Sequence, residues 1–266
     1  MRTFLAEEMP ELFWQEIHRQ SWEEHFFQEY IPDAKIVIIR TKTQANANFL
    51  ARFPQLELLI RAGTGFDNID LKEAKNRNIH VCNTPEANAL AAAEHTFSLI
   101  LALIKWHQIA KQNILAGKWK SGLPNCWEVS DLRVLIVGAG RVGTRVAHFL
   151  QNLGAEVKGV DPYLTKQEWQ EKNIEPITYE EGLKWCNLIT FHCPLTAETM
   201  DFFSETTLQH LVSPVWLINA ARGGIVSDRA VREGLNNEKL LGYAADVFQP
   251  EPPEIQDFFR NENVFL

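Results

Sequence analysis

One short segment constrains this chain more than any other. Residues 132–137 (LRVLIV) form a β-branched, apolar run, and they lead without a break into Gly138-Ala139-Gly140-Arg141-Val142-Gly143. A helix-like segment follows from Thr144 to Leu153, and the next strand-like run, Glu156 to Val160, ends at Asp161. Glycines in this spacing occur by chance in many sequences. With a strand before them, a helix after them and an acid at the end of the second strand, they predict a dinucleotide-binding turn. Gly138 permits the tight turn, Gly140 lets a pyrophosphate approach the backbone, and Gly143 lets the helix pack on the strand. The first amides of the helix then face the phosphate charge. Arg141 and Val142 belong to the same turn. A carboxylate at Asp161 accepts hydrogen bonds from ribose hydroxyls and repels a 2′-phosphate, which favours NAD over NADP; a plain turn residue before Pro162 is the simpler alternative.

The rest of the chain follows an alternating pattern. Before the glycine turn, strands are predicted at 3–6, 34–39, 56–60 and 79–82, with helical spacing between Pro10 and Tyr30. After it come 156–160, 188–191, 215–218 and 243–247, each separated by a helix-length segment. Such alternation predicts parallel sheets covered by helices. Between the two series, Asn88 to Gly117 is rich in Ala and Leu without an internal Gly or Pro, and reads as one long helix, or one broken once. The expected architecture is α/β with two doubly wound parallel-sheet domains. A flavodoxin-like domain over residues 1–85 precedes a linking helix and a Rossmann NAD-binding domain over 86–266. One strand and loop are expected to be absent between Ile17 and Ala34.

Composition narrows the function classes. The chain has 45% hydrophobic and 23% charged residues and a net charge of −8, a globular balance that repels a nucleic-acid backbone. No apolar run approaches the length of a membrane span, and the first ten residues carry no apolar signal core. Cys82, Cys126, Cys186 and Cys193 fit neither a zinc nor a disulfide spacing. They are expected to be buried, reduced thiols, in a cytoplasmic protein without a bound metal.

Four further segments resemble the D-2-hydroxyacid dehydrogenase family, phosphoglycerate dehydrogenase-like. They are Arg61-Ala-Gly-Thr-Gly-Phe-Asp-Asn-Ile-Asp70; Asn83-Thr-Pro-Glu86 with Ala92-Ala-Glu-His-Thr96; His192-Cys-Pro-Leu-Thr196; and Asn219-Ala-Ala-Arg-Gly-Gly-Ile-Val226 with Asp246-Val-Phe-Gln-Pro-Glu-Pro252. The resemblance implies NAD-dependent oxidation of a D-2-hydroxy acid to a 2-oxo acid. 3-Phosphoglycerate, glycerate and glyoxylate are substrates of the right kind. It implies that Arg222 binds the carboxylate and carbonyl of the substrate, a task suited to a planar two-pronged donor. It implies that Glu251 hydrogen-bonds a catalytic histidine and raises its pKa. Thr64 and Gly65 are implied as donors to the substrate carboxylate, and Arg61 and Asn88 as further substrate-side residues. Cys193, Ala220, Ala221 and Asp246 are implied to line the cofactor. A homodimer through the Ala- and Leu-rich segment 89–114 is expected.

Some of these residues also have plainer readings. Arg61 suits a structural ion pair equally well. His95 sits in an apolar helical run and is expected to be a satisfied core histidine, and His192 is expected to pack. The family's catalytic histidine follows a closing strand, here Asn263 to Leu266, in a Thr-Pro-His turn. The sequence stops before that turn and is expected to be a truncation; if it were complete, turnover would be severely impaired. Ala87, Ala89 and Ser227-Asp228 depart from the family's usual residues and leave the substrate open. An amide at position 251 would be expected of a formate dehydrogenase, so Glu251 argues against that branch. The competing reading is a non-catalytic NAD-binding regulatory module, against which the retention of Arg222 and Glu251 counts.

Overall fold

A computed structural model describes residues 2–119 and 121–266. The chain divides into two compact units, Met1–Asn88 and Ala89–Leu266.

The first unit is built on five strands: β1 (Thr3–Leu5), β2 (Phe26–Phe27), β3 (Ile36–Ile39), β4 (Leu58–Arg61) and β5 (His80–Asn83). All are parallel, in the order β2-β1-β3-β4-β5. This is the flavodoxin-like order, in which the sheet reverses its growth beside the first strand. Helices α1 (Glu11–Arg19), α2 (Ala47–Ala51) and α3 (Leu71–Asn76) connect the strands. Phe4, Val37, Ile39, Leu50, Phe53 and Leu59 form the core. Two expectations are corrected here. Helical spacing from Pro10 to Tyr30 yields a helix only to Arg19, after which Ser21 adopts a left-handed conformation. The strand expected to be absent is present as Phe26–Phe27, pairing with Thr3 and Phe4. A two-residue edge strand is too short to show an alternation.

The second unit opens with α4 (Ala89–Ile104) and α5 (His107–Leu115). Trp106 adopts a left-handed conformation between them and bends the pair by 52°. Its indole packs edge-on against Trp216 and donates to the Asn125 carbonyl, so tertiary contacts hold the break open. Among the described residues no single helix is long and apolar enough to cross a membrane.

Seven parallel strands follow: β6 (Arg133–Val137), β7 (Glu156–Val160), β8 (Glu175–Pro176), β9 (Leu188–Phe191), β10 (Val215–Asn219), β11 (Leu240–Ala245) and β12 (Val264–Phe265). Their order is β8-β7-β6-β9-β10-β11-β12. The interleaved helices are α6 (Arg141–Asn152), α7 (Lys166–Lys172), α8 (Tyr179–Trp185), α9 (Glu205–His210) and α10 (Asp228–Asn236). Both faces of the sheet are covered, which is why its central strands are apolar throughout. Val134 and Ile136 face a core shared with α4 and α6; Leu135 and Val137 face a second core with Ile189, Phe203 and Leu217. Chain order reverses between β6 and β9. In a doubly wound sheet that switch point opens a crevice at the carboxyl ends of the strands.

Of the four cysteines, all free, only Cys186 is buried; Cys193 is half-buried and Cys82 and Cys126 are exposed. The expectation of buried thiols fails for Cys82 because it lies on the outermost strand, where an apolar sequence neighbourhood does not imply a covered face.

Candidate active site

The glycine turn lies at the switch point. Gly138 has φ +94° and donates its amide to the Val160 carbonyl at 2.8 Å. A Cβ there would come within 2.7 Å of the Cys193 backbone nitrogen. A Cβ on Gly143 would overlap the Gly138 carbonyl oxygen, so this glycine lets helix and turn close on each other. At Gly140 a Cβ would meet nothing within 4 Å. Open space above this backbone, at the start of the twelve-residue α6, suits an anionic phosphate bridge. Arg141 and Val142 start that helix.

Asp161 is tied down on both oxygens. Oδ2 accepts from the Ala139 amide at 3.1 Å, and Oδ1 accepts from the Tyr163 amide at 3.1 Å. It therefore stabilises its own turn and also anchors the glycine turn, with its charge fixed beside the crevice.

The strand β9 ends at the neighbouring loop. Burial pushes the Cys193 thiol up to about 11, so it is a protonated, unreactive group against the glycine turn. Burial also pushes the His192 imidazole down to about 3, and its Nε2 lies 3.0 Å from Thr190 Oγ1. A neutral, paired imidazole has a packing role.

Arg222 follows β10 through Ala220 and Ala221, all three half-buried. Its Nη1 donates to the Ala221 carbonyl at 2.6 Å. The residue that shapes this turn is Asn219, which is fully buried. Its Nδ2 donates to the Arg222 carbonyl at 2.9 Å and its Oδ1 accepts from the Ala221 amide at 3.2 Å. Burial drives the pKa of the Tyr243 phenol upward. Sequence reasoning gave Asn219 no role. The available signal was an amide ending an otherwise apolar strand, since buried polar groups are almost always hydrogen-bonded.

The segment after β11 packs on the same turn. A Cβ on Gly223 would overlap the Phe248 backbone, and one on Gly224 would overlap the Gln249 side chain. Glu251, exposed, accepts from the Phe248 amide at 3.2 Å. The structure thus brings the Arg222 turn and the Glu251 segment together. Asp246 ends β11, and His95 is found beside it: Nε2 of His95 lies 3.1 Å from Oδ2 of Asp246. The expectation of a core histidine is corrected, because His95 is 47% exposed. The buried stripe of α4 runs through Ala93, Thr96, Ile100 and Leu103, and His95 lies off it.

In the first unit, Thr64 Oγ1 donates to Asn88 Oδ1 at 2.8 Å, and Asn83 Nδ2 donates to the Thr64 carbonyl at 2.6 Å. The Arg61 side chain folds over Gly63, so close that a Cβ would strike its guanidinium. Thr64, Gly65 and Asn88 are thereby gathered into one surface loop cluster at the end of β4 and β5, with Arg61 beneath it.

Residues 97–266 match the family described as D-isomer specific 2-hydroxyacid dehydrogenase, NAD binding domain. The chain belongs to this family. Its cofactor is NAD, in agreement with the glycine turn and Asp161. D-3-phosphoglycerate dehydrogenase of Bacillus subtilis (strain 168) is 34% identical over 217 residues, 82% of this chain and 41% of the relative. The Homo sapiens D-3-phosphoglycerate dehydrogenase is 33% identical over 234 residues, 88% of this chain and 44% of the relative. The chain therefore spans less than half the length of these relatives. Among solved structures, D-lactate dehydrogenase from Aquifex aeolicus, complexed with NAD and lactic acid, superposes with a TM-score of 0.85. It is 23% identical, and the match covers 99% of this chain and 86% of that one. At that identity the likeness supports the two-sheet fold.

Proposed function

We propose that this 2-hydroxyacid dehydrogenase family member interconverts a D-2-hydroxy acid and its 2-oxo acid, with a short acid of the 3-phosphoglycerate kind as substrate. The observation that carries the reading is Arg222 on a turn fixed by a buried Asn219, packed against the Glu251 segment at the carboxyl end of the NAD-binding sheet. Bound NAD accepts or delivers the hydride.

The chain's own residues hold and orient. Gly138, Gly140, Arg141, Val142 and Gly143 receive the pyrophosphate, Asp161 the adenosine ribose, and Cys193, Ala220, Ala221 and Asp246 line the remaining length. The Arg222 guanidinium grips the substrate carboxylate and polarises the reacting carbonyl as charge builds on its oxygen. Thr64 and Gly65 donate to the carboxylate, with Asn88 and Arg61 on the substrate side. Glu251 would support the acid–base histidine of the family's Thr-Pro-His turn and keep its pKa high enough to exchange a proton. His192 takes no part in that exchange, being neutral and engaged with Thr190. Leu90, Ile114 and Leu115, exposed on α4 and α5, support a homodimer as part of the same reading; a monomer in light scattering would count against it.

The test is NADH oxidation against glyoxylate, pyruvate, hydroxypyruvate and its 3-phosphate by a protein that carries the Thr-Pro-His turn after Leu266, beside the 266-residue chain. Turnover that prefers one of these acids is expected of the former, and severely impaired turnover of the latter. A protein that carries the turn, binds NADH and reduces none of the acids overturns the proposal.

A further inference from the structure

Asp246 stands at the carboxyl end of β11, in the second half of the doubly wound sheet. Dinucleotides lie across the switch point with one mononucleotide on each half, and the glycine turn with Asp161 marks the adenosine side. That leaves the β9–β11 half to the nicotinamide. The Asp246 carboxylate is met there by His95 of α4, Nε2 to Oδ2 at 3.1 Å. Helix α4 packs on β10 and β11, so a sixteen-residue helix backs the imidazole. The side chains are 47% and 40% exposed. A pair that open to water adds little to folding stability, so stability does not account for it. Its effect is geometric: one carboxylate oxygen is held from the helix side, and Oδ1 remains to take another donor.

We propose that His95 is a positioning residue for the cofactor, orienting the Asp246 carboxylate toward the nicotinamide end and moderating the negative charge presented there. The inference rests on the reading of Asp246 as a cofactor-lining residue. It has a consequence that simple packing lacks. The oxidised nicotinamide ring is positively charged and the reduced ring is not, so a nearby carboxylate favours NAD+ over NADH. The His95 imidazole, at ion-pair distance, draws on that carboxylate and weakens the preference.

The test is direct titration of NAD+ and NADH, separately, into the full chain and its H95A, D246N and H95A/D246N variants, with thermal melts alongside. Alanine is the best helix former and His95 is exposed, so H95A leaves α4 intact. H95A is expected to raise the ratio Kd(NADH)/Kd(NAD+) about threefold, the scale of one half-exposed ion pair. D246N is expected to lower the ratio, and H95A to add nothing on the D246N background. An unchanged ratio in H95A, or an undiminished H95A effect in the double variant, overturns the inference while leaving Asp246 as a cofactor residue. If D246N itself binds both cofactors as the wild type does, the reading of Asp246 fails and the inference fails with it.

Discussion

At the scale of single residues, the three glycines of the turn look alike in sequence but do different things. Gly140 faces open space, whereas a Cβ on Gly143 would overlap a backbone carbonyl that cannot swing away. G140A is therefore expected to keep the wild-type melting temperature and to weaken NADH at least tenfold, because the methyl occupies the approach of the phosphate. G143A is expected to destabilise the fold by about 1–3 kcal/mol, the cost of overpacking. Thermal melts and NADH fluorescence titrations on the two variants separate these effects; equal loss of stability in both would contradict the geometry. Asn219 allows a similar argument. N219A removes the hydrogen bond from the Ala221 amide and one of two to the Arg222 carbonyl, which keeps the Ile225 amide. Losing these two hydrogen bonds costs about 1–3 kcal/mol. Urea unfolding should show that loss, together with weaker binding of a 2-oxo acid. The glycines were legible in the sequence because their chemistry is local. Asn219 and the His95–Asp246 pair were not, since each depends on neighbours that only the folded chain supplies.

At the scale of elements, long strands and helices were legible and short or interrupted ones were not. β6, β7, β9 and β10 lie within a residue of where their apolar runs place them, because burial on both faces demands continuous hydrophobicity. β2 and β8, two residues each, carry no pattern to read. Nor does anything local to Trp106 announce the break between α4 and α5; it is fixed by Trp216 and Asn125. One tie between elements carries a pH dependence. The Glu7 carboxylate, just after β1, accepts from the amides of Arg40, Lys42 and Thr43, just after β3. Burial works to raise its pKa, but the hydrogen bonds from Thr43, Arg40 and Lys42 together outweigh it and leave it below the ordinary 4.5. A depressed carboxylate pKa contributes stability that is present above the unfolded value and lost as pH falls through the folded one. E7Q is thus expected to be less stable than the wild type at pH 7, by under about 1 kcal/mol for a half-buried surface group. The difference should close below pH 4.5. Urea midpoints between pH 3 and pH 7 would reveal it, and a gap that widened in acid would refute the sign.

At the scale of the whole molecule, the division into two units sorts the candidate residues. Gly138, Gly140, Gly143, Asp161, Cys193, Ala220, Ala221, Arg222, Asp246 and Glu251 all lie in Ala89–Leu266, whereas Arg61, Thr64, Gly65 and Asn88 lie in Met1–Asn88. The second unit has its own seven-stranded sheet with a hydrophobic core on each face. Every residue proposed to touch NAD lies within that unit. A fragment of residues 89–266 is therefore expected to fold alone and to bind NADH within about threefold of the full chain. NADH at about a hundred times its Kd should stabilise it by about 2.7 kcal/mol, since ligand binds the folded form alone. The NADH complex of the same fragment should bind no 2-oxo acid, because the proposed carboxylate donors Thr64 and Gly65 are missing from it. Calorimetric titration and chemical denaturation with and without NADH decide the matter. A fragment that folds but binds NADH more than tenfold weaker would mean that the first unit helps to hold the cofactor. A fragment that binds a 2-oxo acid as the full chain does would move substrate recognition away from Thr64 and Gly65 and onto Arg222 and its neighbours.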